Sequence, residues 1–376
     1  MADAHAPETK SLTERAFESL LPLHLFTILC LSVVEPHDFW WHLRSGQIVA
    51  ETHAVPMVDS FSFVTAGQRF VDEPWLAQLV MYELYAHAGL AAIVLLHAIV
   101  ITLGYALVWN DAKKRTSAGS AAIATVLAAA VGGSNWGVRP QSFSFLFFGA
   151  LVVLTNRDAR GDARALWWTI PLFALWSNVH GGVAFGGLAL AIHCLVEAGL
   201  AKKRDDDAAA RRKLLALVLA GAACGLNPGG YRGLFDHVGA FFRGGGTGVS
   251  GNSEFAPTSI HTFYGLVFFF AIARFAWASV KTKRAPSLAQ GVALAVFGAL
   301  SLAAVRFTPW FGMLLLGPLA SAIEPAPSSE PATSASSGPR VVAVVVSLLA
   351  AIVVLPFWRS HLPLPESRRS LASPET

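Results

Sequence analysis

Along this chain, long apolar runs alternate with short polar ones. The runs lie near 19–35, 89–110, 118–135, 141–156, 165–179, 182–200, 213–226, 259–280, 286–304, 308–323 and 341–357. With its flanks, each is about 17–25 residues, the length of helix that crosses roughly 30 Å of hydrocarbon. Backbone at that depth must satisfy its own hydrogen bonds, so each run is predicted to be a helix. The expected fold is an all-α integral membrane protein with about 11 transmembrane helices. A cytoplasmic segment 1–18 leads into a membrane body 19–323, whose long first outer loop is 36–88. A Pro/Ser/Ala-rich linker 324–340, a last helix 341–357 and a polar tail 358–376 follow.

Composition supports this pattern. Of 376 residues, 54% are hydrophobic and 14% charged, against about 25% charged in a soluble domain. The net charge of +4 does not point to nucleic acid, because the basic residues sit in short loops rather than in a stripe interleaved with aromatics. Cys30, Cys194 and Cys224 fall in or beside apolar runs, so they read as packing residues rather than a disulfide or thiolate framework. The first 20 residues carry six charges and are followed by an apolar run with no A-x-A-like site, which argues against a cleavable signal.

The basic residues orient the chain. With the N-terminus inside, all eight lysines (Lys10, Lys113, Lys114, Lys202, Lys203, Lys213, Lys281 and Lys283) fall on the cytoplasmic side. Arg115, Arg157, Arg160, Arg164, Arg204, Arg211, Arg212 and Arg284 join them. That sorting requires 165–200 to be two helices turning at Asn178–Gly182 rather than one long helix. The last helix has only Arg340 to orient it.

The opposite, outer side then collects a distinctive polar set. Glu35-Pro36-His37-Asp38-Phe39-Trp40-Trp41-His42-Leu43-Arg44 begins where the first helix leaves the membrane. Asp38 is expected to N-cap an interfacial amphipathic helix running to about Ala50, which places Asp38 and His42 on one face. Asp59, Asp72 and Glu73 lie in the same loop, and His53 with them. Arg139-Pro140 opens a helix, and Arg306 stands between two apolar runs; arginines at helix mouths suit bidentate phosphate binding. Asn178 and His180 sit at one predicted turn and Asn227 at another. The 227–258 loop adds Asp236, His237, Arg243 and Glu254. Plainer accounts stand beside these: a capping Asp, arginines snorkelling to headgroups, and Asn, Gly and Pro as turn formers.

The series Asp38-x-Trp40-Trp41-His42-Leu43-x-x-Gly46-x-Ile48, Pro56-x-x-Asp59-x-Phe61-Ser62 and Glu73-x-Trp75-Leu76 resembles a group of bacterial polytopic proteins. That group is similar to the dolichyl- or polyprenyl-phosphate-dependent glycosyltransferases of the C-type membrane fold. Arg139-Pro140, Asn178-x-His180-Gly181 and Asn227-Pro228-x-Gly230 continue the likeness, which covers roughly 20–232. The resemblance implies an inverting transfer of sugar from a lipid-phosphate-linked donor at the outer face of the bacterial inner membrane. It assigns the catalytic acid of the first loop to Asp38, with Asp59, Asp72 or Glu73 as helpers; His42, one turn along the same face, is placed to orient Asp38 and joins Asp72 and Glu73 among the catalytic candidates. Arg44, Asp59, Arg139, Asn178, His180, Asn227 and Arg306 are the candidate substrate contacts. His37-Asp38 stands where the family often has two adjacent acids, and the soluble outer domain of many relatives is missing.

Two other classes compete. A lipid or solute transporter, or a flippase, would place ionisable groups deep in its helices; Glu197 and Arg274 lie near helix ends instead. Metal or haem handling by His37, His42, His53 and His180 would need a compact ligand spacing, which these lack. No metal ligands are therefore assigned, and the cofactor is left unknown, with a divalent cation the one open candidate. The expected partners are the lipid-linked donor and membrane lipids, not nucleic acid.

Overall fold

The computed structural model describes residues 18, 20–35, 38–233, 235, 239, 253–325, 337–361 and 370–372. His37, Asp236, His237, Arg243, nearly all of the N-terminal segment, most of the linker and much of the tail lie outside the described residues. Over the described residues the chain is all-helical, and its extended pairings are the isolated bridges Val34–Ala372 and Val58–Arg69.

Helix α1 (Leu20–Leu29) is followed by α2 (Phe39–Thr52) and the long α3 (Trp75–Ala112). Then come α4 (Ala118–Gly132), α5 (Gln141–Ala159), α6 (Thr169–Trp176, entered through a 3-10 turn Ala165–Trp168), α7 (Val183–Lys202) and α8 (Asp207–Ala223). The set ends with α9 (Phe263–Thr282), α10 (Leu288–Ala303), α11 (Thr308–Ile323) and α12 (Ser337–Val353). Local chemistry explains several of the boundaries. Ser117, Asp206 and Thr262 accept backbone N–H groups at the starts of α4, α8 and α9, and Ser287 with Gln290 forms a capping box at α10. The 165–200 stretch does break in two, at 177–182 between α6 and α7.

Three expectations change. The first run is helical only to Leu29, ten residues that rise about 15 Å. Beyond it the backbone finds partners other than its own turn: Arg359 donates to the Cys30 and Ser32 carbonyls, and Val34 N–H donates to Leu371. Asp38 occupies the N-cap position of α2, but it is helical in φ and ψ and its side chain makes no cap bond. The back of the first loop is itself helical: α3 is two arms joined at Gly89, whose φ of 70° suits glycine, and its first arm begins at Trp75. That arm carries Gln78, Tyr82, Glu83 and His87 among apolar residues, too polar and too short for a search tuned to membrane-length runs.

Among the described residues, four helices have the length and apolarity to cross a membrane: Trp75–Ala112, Ala118–Asn135, Val183–Lys202 and Phe263–Thr282. Outward apolar side chains, such as Ile123, Leu195, Val218 and Val280, are left exposed along their flanks and on α8. The core between helices is aromatic, with Trp310 packed on Phe145 and Phe148, and Phe148 on Phe297. Small residues set the closest crossings. Gly104 of α3 lies on the α5 backbone at Phe145, and Gly149 of α5 on the backbone of Gly104, leaving no room for a Cβ at either.

The loops sort to two ends. One gathers 113–117, 156–168, 202–207, 283–288 and Glu324, linked by contacts such as Ser117–Glu324, Arg284–Ser321 and Asn156–Gln290. The other gathers 30–35, Asp38, 71–78, 133–140, 177–182, 224–230, 253–262 and 304–308, linked by contacts such as Asp38–Arg139, Leu76–Asn178, Asn227–Ser177 and Asn135–Val305. Helix α12 runs parallel to α1, with Ser347 at His24 and Arg359 at Cys30, so residues 356–361 and 370–372 join this second end.

Candidate functional site

Helix α2 and the first arm of α3 cross with Gly46, near the middle of α2, pressed against the Gln78 backbone, where any side chain would collide. This close approach brings the two acidic motifs of the first loop together. Gln78 Nε2 donates to Asp72 Oδ1 at 2.8 Å and reaches His42 Nδ1 at 3.0 Å. With Nδ1 accepting, the His42 proton sits on Nε2, which lies 3.5 Å from Asp38 Oδ2. The result is a buried relay, Asp72–Gln78–His42–Asp38, whose last member opens to the outside. The Asp38 side chain is 39% exposed and that of His42 9%, while Asp72 is 1% and Glu73 4% exposed.

Four acids of the first loop, Asp38, Asp59, Asp72 and Glu73, are in different electrostatic states. Burial pushes the Asp38 carboxyl up, but the hydrogen bond and electrostatic pull of His42, together with the Arg139 guanidinium, hold it down at about 2. Burial pushes Asp72 up, against the Gln78 and Ser45 hydrogen bonds and the pull of His42. Burial, reinforced by the like charge of Asp72, pushes Glu73 up to about 8, against the Gly181 backbone N–H. Asp59 is held below the usual carboxylate range by Ser62 N–H, the Thr65 hydroxyl and Phe61 N–H. It therefore closes its own turn and stands apart from the relay.

Two arginines complete the mouth. Arg139 Nη1 lies 3.7 Å from Asp38 Oδ2 and its Nη2 contacts Glu254. Arg306 stacks over the Phe255 ring at 4.5 Å. Burial lowers its pKa, with Glu254 opposing and Arg139 assisting, so both arginines share the Glu254 field. Arg44, by contrast, bonds Gln47 along the exposed face of α2.

Asn178 and Asn227 serve the scaffold. Asn178 Oδ1 accepts from Trp75 Nε1 at 2.8 Å while its amide donates to Ala174. Asn227 donates to the Ser177 carbonyl at 2.7 Å and toward that of Glu73 at 3.5 Å, and its Oδ1 takes the Gly229 N–H. Together they clasp Glu73-Pro74-Trp75 onto the α6–α7 turn. His180 Nδ1 accepts from Gly182 N–H and from Ser144, whose oxygen in turn accepts from Trp176 Nε1. Sequence reasoning missed Gln78, which lies in the unforeseen helix, and left Glu254 as one loop acid among several. A lone amide on the apolar face of 75–88 was the available signal for Gln78.

Beside this mouth lies an apolar cavity of about 330 Å³, lined among others by Leu21, Tyr105, Trp109, Ala129, Trp136 and Tyr264. Its upper wall, Gly133 and Trp136, leads directly into the Arg139 segment. Among the described residues no group of three or more His, Cys, Asp or Glu is placed to hold a metal ion. The chain matches no protein-family model and no curated protein.

Proposed function

We propose that this protein is a membrane glycosyltransferase that moves a sugar from a polyprenyl-phosphate-linked donor to an acceptor hydroxyl. The observation that carries the reading is the convergence of the Asp38–His42 pair with Arg139 and Arg306 at one mouth of the bundle. Asp38 is the acid with access to a substrate. It takes the acceptor proton as the acceptor oxygen attacks the anomeric carbon from the face opposite the phosphate, inverting that centre. The carbon–phosphate oxygen bond breaks, and the lipid phosphate leaves with its charge held by the arginines. Asp72 and Glu73 lie behind the relay and position it rather than touch substrate.

The two-ended sorting of the loops supports eleven spans, with the lysine-rich end in the cytoplasm and the Asp38 mouth at the outer face of a bacterial inner membrane. The short helices, α1 and α6 among them, then cross together with their flanking turns. The apolar cavity suits a prenyl chain entering from the bilayer. The alternative, a lipid or solute carrier, draws support from the buried Asp158–His193–Lys213 cluster at the other end.

The test is transfer of radiolabelled sugar from polyprenyl-phosphate donors in membranes with and without the protein. Arg139→Gln and Arg306→Gln should each lose most of the transfer that the wild type adds. Transfer that is indifferent to both arginines would set the reading aside.

A further inference from the structure

Resting on that reading, one feature of the mouth goes beyond it. The arginine clamp already holds an anion of the protein's own. Arg139 contacts the Glu254 carboxylate, and Arg306 lies over Phe255, the next residue, within the electrostatic reach of Glu254. The segment is fixed there: Val305 N–H donates to the Ala256 carbonyl at 2.9 Å, tying residues 253–256 to the turn that carries Arg306. A carboxylate offers a guanidinium the same pair of acceptor oxygens that a phosphate does. Asp38, also an anion, faces the other side of Arg139 at 3.7 Å. Two acids thus accompany two arginines, and a third anion cannot enter without repulsion unless one of the acids leaves.

We propose that Glu254 is a specificity-determining residue: a resident anion that a ligand phosphate must displace from Arg139, so that the mouth admits a lipid-anchored phosphate and turns away free phosphate. The physical basis is competition. Free phosphate arrives from bulk solution at low concentration and meets an occupied clamp. A lipid-anchored phosphate is confined to headgroup depth beside the clamp, with its chain against the apolar cavity, and so presents a high effective concentration to it. Asp38 does not have to move, so the base stays in place while the Glu254 side chain turns away from Arg139.

The probes are inorganic phosphate and farnesyl phosphate, titrated by calorimetry into the purified full chain in detergent micelles. The wild type should bind farnesyl phosphate and show no heat with inorganic phosphate. Glu254→Gln, which keeps the shape and removes the charge, should bind farnesyl phosphate about tenfold tighter and gain measurable binding of inorganic phosphate. Glu254→Asp keeps the charge and should stay near the wild type, which separates competition from altered packing. Farnesyl phosphate binding in Glu254→Gln that is equal to or weaker than wild type would overturn the inference while leaving the phosphate site standing. Absence of farnesyl phosphate binding in both chains would remove the lipid-phosphate reading and this inference with it.

Discussion

At the end of the bundle that gathers the lysines, each buried acid faces a base. Asp158 meets His193 Nε2 at 2.8 Å and Lys213 directly, with Arg212 at 4.0 Å. Asp111 takes a bidentate grip from Arg160, at 2.5 and 3.1 Å, and adds Asn156 at 3.0 Å. At the other end Asp72 is equally buried, but its hydrogen bond goes to neutral Gln78, and Glu73 sits against the like charge of Asp72. Among the described residues, Gln78 Oε1 and Arg139 Nε also find no hydrogen-bond partner there. Charge matching is what a scaffold needs, because an unpaired buried ion is costly. Retained mismatch, with one member open to the outside, is what a reacting site tolerates. The contrast teaches that the number of buried acids does not locate chemistry; their partners do.

The largest expected effect lies at the matched end. Lys213→Met removes the direct cationic partner of buried Asp158, leaving His193 and, at 4.0 Å, Arg212, and should cost about 3 kcal/mol of stability. Arg139→Gln leaves Asp38 within reach of water and should cost about 1 kcal/mol or less. Denaturant unfolding of both variants in the same detergent measures the difference. Equal losses would erase the distinction between the two ends.

A pH series sharpens the comparison. The raised Glu73 pKa means the folded chain keeps a proton that the unfolded chain gives up. Its contribution is therefore complete below the ordinary value of 4.5 and is lost as pH rises through about 8. Glu73→Gln should flatten the stability-versus-pH curve across that window and make the protein more stable than the wild type at its upper edge. An unchanged slope would mean that Glu73 is ionised in the fold. The smallest effects belong to residues outside the relay. Arg44→Ala and Asp59→Asn should keep transfer within about twofold of the wild type, as surface changes away from a reacting group do.

Much of the architecture was written in the run lengths. The break at 177–182 followed from the basic loops on either side of 165–200, and the α4, α5, α7, α9, α10 and α11 regions from their apolar runs. The first arm of α3 was not legible, because it is amphipathic and only about four turns long. The end of α1 was not legible either. It is decided by Arg359, over 300 positions away, taking the Cys30 and Ser32 carbonyls. In the site, Asp38 and His42 were readable from helical spacing. The roles of Asn178 and Asn227 as clasps, and of Glu254 between the arginines, depend on contacts across 100 residues or more, which no local pattern encodes.

The most direct measurement compares Asp38→Asn with Asp158→Asn, scored as sugar transfer per folded molecule in membranes and as unfolding in detergent. Asp38→Asn should leave a folded protein with transfer reduced about a hundredfold or more, the usual loss when a positioned base is removed. Asp158→Asn should transfer at nearly the wild-type rate per folded molecule while unfolding more readily. Near-normal transfer by Asp38→Asn, or loss of transfer in well-folded Asp158→Asn, would contradict the placement of the chemistry at the Asp38 mouth.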